Sequence, residues 1–177
     1  MYALISKDSL TIPTLILGGF KEHLRILDDG EDEIILDYLR ASIDTIETIS
    51  GRDILVHKWG YKRLDHEEQP NIGNRTRLDK VNAFDIKVFS ATGGDVSIGY
   101  NFDLRRSEIY PKISDSMVVE IDTGYRQPEE IPPRLKVIIY RYGAFLYEHR
   151  EASNQGKIND APDWLNIALA SIWQPRA

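Results

Sequence analysis

Cysteine is missing from all 177 residues, so disulfides, thiolate metal sites, cysteine-ligated iron-sulfur clusters and cysteine nucleophiles are excluded at once. Long apolar runs are missing too. The longest candidates, Leu15-Ile-Leu17 and Val137-Ile-Ile-Tyr140, are soon interrupted and fall far short of the roughly 20 residues that cross a bilayer, so no membrane partner is expected. A surplus of positive charge is lacking: 22 Lys and Arg stand against 28 Asp and Glu, a net charge of -6. That is the wrong sign for a protein that grips phosphates over its whole surface. The opening residues, Met1-Tyr-Ala-Leu-Ile-Ser-Lys-Asp8, carry no basic stretch ahead of their apolar tetrad and so lack the layout of a secretory signal. Synthesis and folding in the cytoplasm are expected.

What remains is a composition of 42% hydrophobic and 28% charged residues, enough for a core under a water-soluble surface and incompatible with disorder throughout. One domain over 1–177 is the expectation, with helices at about 14–50 and 132–174 around a β insertion at about 53–123. Phe20, Leu24 and Leu27 share one face of a short helix opening at Gly18-Gly19. After the break at Asp28-Asp29-Gly30, Ile35, Leu39, Ile43, Ile46 and Ile49 predict a helix over 31–50, with acids at its positive end and Gly51 as a left-handed cap. The period then changes to that of half-buried strands at 54–61, 84–89, 96–102 and 117–121. Thr92-Gly-Gly-Asp95 predicts a hairpin, and 69–74 a loop.

Pro133 suits the first turn of a third helix whose inward face is Leu135, Ile138, Ile139, Tyr142, Phe145 and Leu146. Its other side, Val137, Tyr140, Ala144 and Tyr147, is apolar as well, which places the helix centrally in its core or at an oligomer interface. A polar linker, 152–157, precedes a last helix with Trp164, Ile167, Ala168 and Ile172 on one side, ended by Pro175. The fold class is therefore α+β, a four-helix bundle with an antiparallel β insertion between the second and third helices.

Chemistry is sparse. The acids Asp28, Asp29, Glu31, Asp32 and Glu33 lack the alternation of a calcium loop, and helix capping accounts for them better. His23, His57, His66 and His149 show no metal-ligand spacing, and His149 beside Glu148 and Glu151 reads as a solvated strip. Dinucleotide, Walker, GxSxG and SxxK patterns are absent, so no catalytic residue, cofactor or metal is assigned. Arg75, Arg77 and Lys80, with Arg105-Arg106 and the aromatics Tyr100, Phe102 and Tyr110, form the mixture found on nucleic-acid surfaces, although strand ends carry such charges routinely. Residues and motifs alone lead to a soluble α+β domain without an enzyme signature.

Several segments in order resemble one family. The run from Phe20-Lys-Glu-His-Leu-Arg through the acidic break to Ser50-Gly-Arg52 is similar to the start of tailed-phage head-tail connector (adaptor) proteins, including those of gene transfer agents. Arg106-Ser-Glu-Ile-Tyr-Pro111, Val119-Glu-Ile-Asp-Thr-Gly-Tyr125, Ile131-Pro-Pro133 and Leu169-Ala-Ser-Ile-Trp-Gln-Pro-Arg176 resemble later pieces of the same family. Ser50 stands where Thr is commoner and Trp173 where Tyr is usual, and 66–103 matches no part of the pattern. The resemblance implies a non-enzymatic adaptor forming a ring, dodecameric to match a portal, that links the DNA-filled head to tail or stopper proteins. It implies assembly in the host cytoplasm, then residence at the head-tail junction of a phage, prophage or gene transfer agent particle. DNA would pass through the lumen without tight binding, which an acidic total suits. Contacts to neighbouring copies or the portal would fall on Val137, Tyr140, Ala144, Tyr147, Trp164, Ile167, Ile172 and Trp173. The rival readings are a DNA-binding accessory module using Arg75, Arg77, Lys80, Arg105 and Arg106, and a small enzyme.

Overall fold

The computed structural model describes residues 2–8, 11–62, 75–78, 82–104, 108–114, 117–149 and 161–172. In chain order these are β1 (Tyr2–Asp8), α1 (Thr11–Leu24), α2 (Asp32–Ser50), β2 (Val56–Lys62), β3 (Thr76–Arg77), β4 (Ala83–Phe89), β5 (Asn101–Asp103), β6 (Glu108–Tyr110), β7 (Val118–Thr123), α3 (Pro133–Glu148) and α4 (Asp163–Ile172). Short 3-10 turns occupy Ser97–Gly99 and Pro128–Glu130. The α+β class and the β segment between α2 and α3 agree with the expectation. The contacts divide the chain into two units, one of Met1–Asp8 with Arg52–Tyr125 and one of Ser9–Gly51 with Arg126–Ala177.

The first unit is built on an antiparallel sheet in the order β1-β2-β7-β4, beside a three-stranded sheet in the order β3-β6-β5. On one face of the larger sheet Tyr61 pairs with Val119 and Val119 with Val88, and Ile121 pairs with Ile86, so alternate residues enter one apolar core. Ile109 and Ile113 join it, with Trp59, Tyr100, Phe102 and Met117 packed at its margin. Strands β3 and β6 fall outside the runs read from sequence as strands, and two further features depart from that reading. The N-terminal residues form strand β1 against β2, and the run 96–102 is a 3-10 turn followed by the three-residue β5. The hairpin turn forms, with Ser90 N–H donating to Gly94 O and Phe89 bridging Asp95. Ser97 then takes the Val88 N–H on its hydroxyl, which stops the returning segment from pairing as a strand.

The second unit is helical. Ile35, Leu39, Ile43 and Ile46 of α2 are all 0% exposed, whereas Ile49 is 38% exposed. Each buried member contributes about 1.5–3 kcal/mol before ordering costs. Gly51 closes α2 at φ 63, its N–H donating to Glu47 O. Helix α1 begins at Thr11 and runs through Gly18 and Gly19, so the glycine pair is internal to the helix and not its opening. A Cβ at Gly19 would lie 2.7 Å from the Tyr140 hydroxyl, and one at Gly143 would lie 2.8 Å from the Phe20 ring, so both glycines permit close helix approach. Leu27 lies beyond the end of α1 and is 98% exposed, not on its buried face.

Helix α3 contacts α1, α2 and α4, which makes it the central helix of its unit. Helix α4 packs on it through Leu165 and Leu169, at 0% and 3% exposure. Of the residues that the sequence assigns to contacts with neighbours, Trp164 and Ile172 are partly buried beside α3 and Ile167 is the exposed one, whereas the two leucines, four apart, make the best buried pair.

Candidate functional site

The candidate contact residues divide into those spent inside the helical unit and those left at its surface. The Tyr140 hydroxyl donates to Ile16 O at 3.2 Å, and its ring lies 5.7 Å from that of Phe20. Burial, followed by the Glu22 carboxylate, raises the Tyr140 pKa above its ordinary value. Tyr147 donates to Glu31 and meets Tyr38 edge-on at 5.8 Å. Ala144 is partly buried. The second apolar side of α3 is thus covered largely by α1 and α2, and Val137, 60% exposed, is its outward member.

Val137 lines an open apolar cleft of about 380 Å³ with Pro133, Arg134, Ile138, Ser171 and Ile172, where the first half of α3 faces the end of α4. Trp164 meets Tyr142 at 68° and 6.4 Å, and the Arg141 guanidinium lies 4.1 Å from the Trp164 ring centre. Ile167 is 72% exposed. Trp173 lies outside the described residues, as do the linker at 152–157 and the loop at 69–74.

The acidic cluster does different work from the capping expected of it. Glu31 at the start of α2 makes no side-chain cap. Instead Lys21 donates to Asp29 at 2.6 Å and to Asp32 at 2.5 Å, fastening the α1–α2 loop to α1. Those two hydrogen bonds raise the Lys21 pKa, and the one from Lys21 lowers that of Asp29. His149 turns to its own helix: its Nδ1 lies 2.8 Å from Phe145 O and its ring 4.4 Å from the Phe145 ring.

In the β unit the described members of the expected basic and aromatic mixture make internal contacts. Arg75 reaches Glu108 at 3.3 Å and lies 5.2 Å from the Tyr110 ring centre, and Tyr110 donates to the same carboxylate at 2.6 Å. Tyr100 and Phe102 pack against the core. Lys80, Arg105 and Arg106 lie outside the described residues, and of Arg77 only the backbone in β3 is described. One polar cluster escaped the sequence reading. Asp53 accepts from Trp59 Nε1 at 2.7 Å and from Thr123 Oγ1 at 2.6 Å, and His57 Nδ1 lies 3.0 Å from Leu55 O. Thr123 is fully buried, and its hydroxyl donates to the Asp53 carboxylate at 2.6 Å and lies 3.4 Å from the His57 backbone oxygen. The cluster ties residues 53–55 to β2 and β7. Thr123 lies 70 residues from Asp53, so no local spacing signals the cluster.

Among the described residues no group of three or more His, Asp or Glu could hold a metal ion, and no helix is long and apolar enough to cross a membrane. No protein-family model and no curated protein matches the chain. Solved structures do. A chain in the virion of a native gene transfer agent particle aligns with a TM-score of 0.67 at 19% identity, over 98% of this chain and 94% of that one. A chain in the neck of an empty particle of this kind, computed with C6 symmetry, aligns at 0.64 and 20% identity over the same shares of 98% and 94%. One in the neck of a native particle, computed with C12 symmetry, aligns at 0.63 and 18%, again over 98% and 94%. At these identities the likeness is one of fold, and this chain has the fold of a chain found in gene transfer agent particles.

Proposed function

We propose that this chain is a structural head-tail adaptor of a gene transfer agent or tailed-phage particle, forming a ring below the portal and linking the DNA-filled head to tail components. The observation that carries the reading is a likeness of fold over 98% of the chain to chains in particle necks, one of them computed with C12 symmetry. The ordered motifs of the sequence support it from a second direction, because several hold structural positions. Lys21, in Lys-Glu-His-Leu-Arg, fastens the acidic break, Gly51 caps α2, and Gly124 sits where a side chain would meet the Leu55 carbonyl.

On this reading the chain acts as one connector over 1–177, with copies of itself, the portal and a tail or stopper protein as partners. DNA slides past without tight binding, and no reaction is catalysed. Assembly takes place in the host cytoplasm and the finished ring stays in the particle. Val137, Ile167 and Ile172 supply contacts to neighbours. Deleting the gene in a particle-producing strain should leave filled heads and tails unjoined in electron micrographs, with joining restored by the gene in trans. Joined particles at the normal frequency without it would overturn the reading. Native mass spectrometry with purified portal checks the ring separately, with many copies per portal expected.

A further inference from the structure

The helical unit carries a knob and a hole that do not belong to each other. The knob is the loop after α1. Arg25 at φ 60 and the bond from Ile26 N–H to Lys21 O end that helix in a left-handed turn, which turns Leu27 outward to 98% exposure. The Lys21 bonds to Asp29 and Asp32 hold the loop in place, so little freedom remains to be lost on binding. Residues 26–34 contain five acids and no base, and Asp28 and Glu33 are exposed while the Asp29 side chain keeps 89% of its surface. Ile34, 51% exposed, lies at the same end.

The hole is the cleft of about 380 Å³ beside Val137, well above the roughly 150 Å³ of an apolar cavity that takes up benzene. Residues 133–147 carry Arg134, Lys136 and Arg141 and no acid. Asp163 on α4 and Glu129 and Glu130 ahead of α3 are the nearby acids in sequence, and Glu130 already meets Arg126 at 3.6 Å. The Tyr147 bond to Glu31 places the knob at the C-terminal end of α3, whereas the cleft lies at its N-terminal half. Ten residues of helix, about 15 Å, separate Val137 from Tyr147, so Leu27 cannot fill the cleft of its own chain.

We infer that Leu27 and its acidic flank on one copy dock into the Val137 cleft of the next, with Asp28 and Glu33 facing Arg134 and Arg141. The contact joins unlike surfaces, so it repeats head to tail and closes as a ring or extends as a filament. It rests on the adaptor reading only for closure into a ring; the complementarity is a property of the chain.

Because the chain has no native cysteine, Leu27→Cys with Val137→Cys introduces its only two thiols. Both positions are exposed, so neither substitution burdens the core. The doubly substituted full chain is oxidised both in purified particles and as concentrated protein. A ladder of disulfide-linked multimers is expected from it, heterodimers from a mixture of the two single variants, and neither product from a single variant alone. Arg134→Glu should cut the ladder about fivefold, and adding Asp28→Arg should restore it. Particles that contain the chain but give no ladder overturn the contact and leave the adaptor reading standing. A ladder in solution with the chain absent from particles overturns the adaptor reading and leaves the contact standing. Absence of a ladder in both, or disulfide-linked dimers from the Leu27→Cys variant alone, overturns the contact.

Discussion

At the scale of single residues, three glycines are held for three different reasons, and the reasons predict an order. Gly124 has φ 101 and a Cβ there would overlap the Leu55 carbonyl oxygen, a backbone atom that cannot step aside. Gly143 has ordinary helical geometry but faces the buried Phe20 ring at 2.8 Å, and Gly51 at φ 63 has open space around it. Alanine should therefore cost most at Gly124, about 3 kcal/mol or more. It should cost about 1–3 kcal/mol at Gly143, where overpacking outweighs the helix-propensity gain. At Gly51 it should cost about 1 kcal/mol. Urea denaturation of the three variants reads the order directly. Asp122 gives a prediction in pH. Burial leads, with Asp85 and Glu120 adding to it, in raising its pKa, against the opposing pull of Lys58 and Lys87, and its Oδ1 lacks a hydrogen-bond partner. A carboxyl whose folded pKa lies above its unfolded one binds protons more readily when folded, so its destabilising effect is present at neutral pH and fades as pH falls through the folded pKa. Asp122→Asn should raise the melting temperature at pH 7 and lose that advantage under acid conditions, as a series of thermal melts would record.

At the scale of elements, the last helix is the instructive case. The sequence assigns Trp164, Ile167 and Ile172 to contacts with neighbours, and of these only Ile167 is left outward. The structure buries Leu165 and Leu169 against α3, with Trp164 on the Tyr142 ring beside them. Leu165→Ala should cost about 2–5 kcal/mol, whereas Ile167→Ser should change stability by no more than about 0.5 kcal/mol. Removing residues from Asp160 onward takes away both leucines and uncovers the Tyr142 ring, so the truncated chain should melt far lower than the full one. Unchanged melting after that truncation would mean that the α3–α4 packing contributes little. Strand β1 shows the converse. Its residues looked like a brief apolar start, yet pairing with β2 at Tyr2 to Tyr61 and Asp8 to Val56 makes them the edge of a sheet whose partner is about fifty residues away.

At the scale of the whole molecule, charge and described contacts agree on nucleic acid. The net charge is -6, and Arg75 is already engaged by Glu108 and Tyr110. Titration of the free protein with duplex DNA at about 150 mM salt should show no micromolar complex. A tight complex that Arg105→Ala with Arg106→Ala abolishes would favour a DNA-binding module. If the knob and cleft join successive copies, the acidic loop and the basic start of α3 are both drawn into subunit contacts, and assembly should weaken as salt rises.

The sequence by itself determined the elements whose signal is local. The period of Ile35, Leu39, Ile43 and Ile46, the cap at Gly51 and the start at Pro133 each depend on neighbours within a turn or two, and each stands where it was expected. It also determined the α+β order and, through the lack of cysteine, which chemistries are closed to the chain. Tertiary structure alone decided what depends on pairs distant in sequence. Asp53 meets Thr123 and Tyr147 meets Glu31, and only folding brings either pair together. Burial likewise chose Leu165 and Leu169 as the best covered residues of α4 and left Ile167 outward, because an apolar helix does not say which of its residues a partner will cover. Leu27 is the clearest instance. The sequence continues the apolar period of α1 into it, but Arg25 turns left-handed and the chain leaves the helix first, so the side chain that periodicity assigns to the core stands in solvent beside the acids.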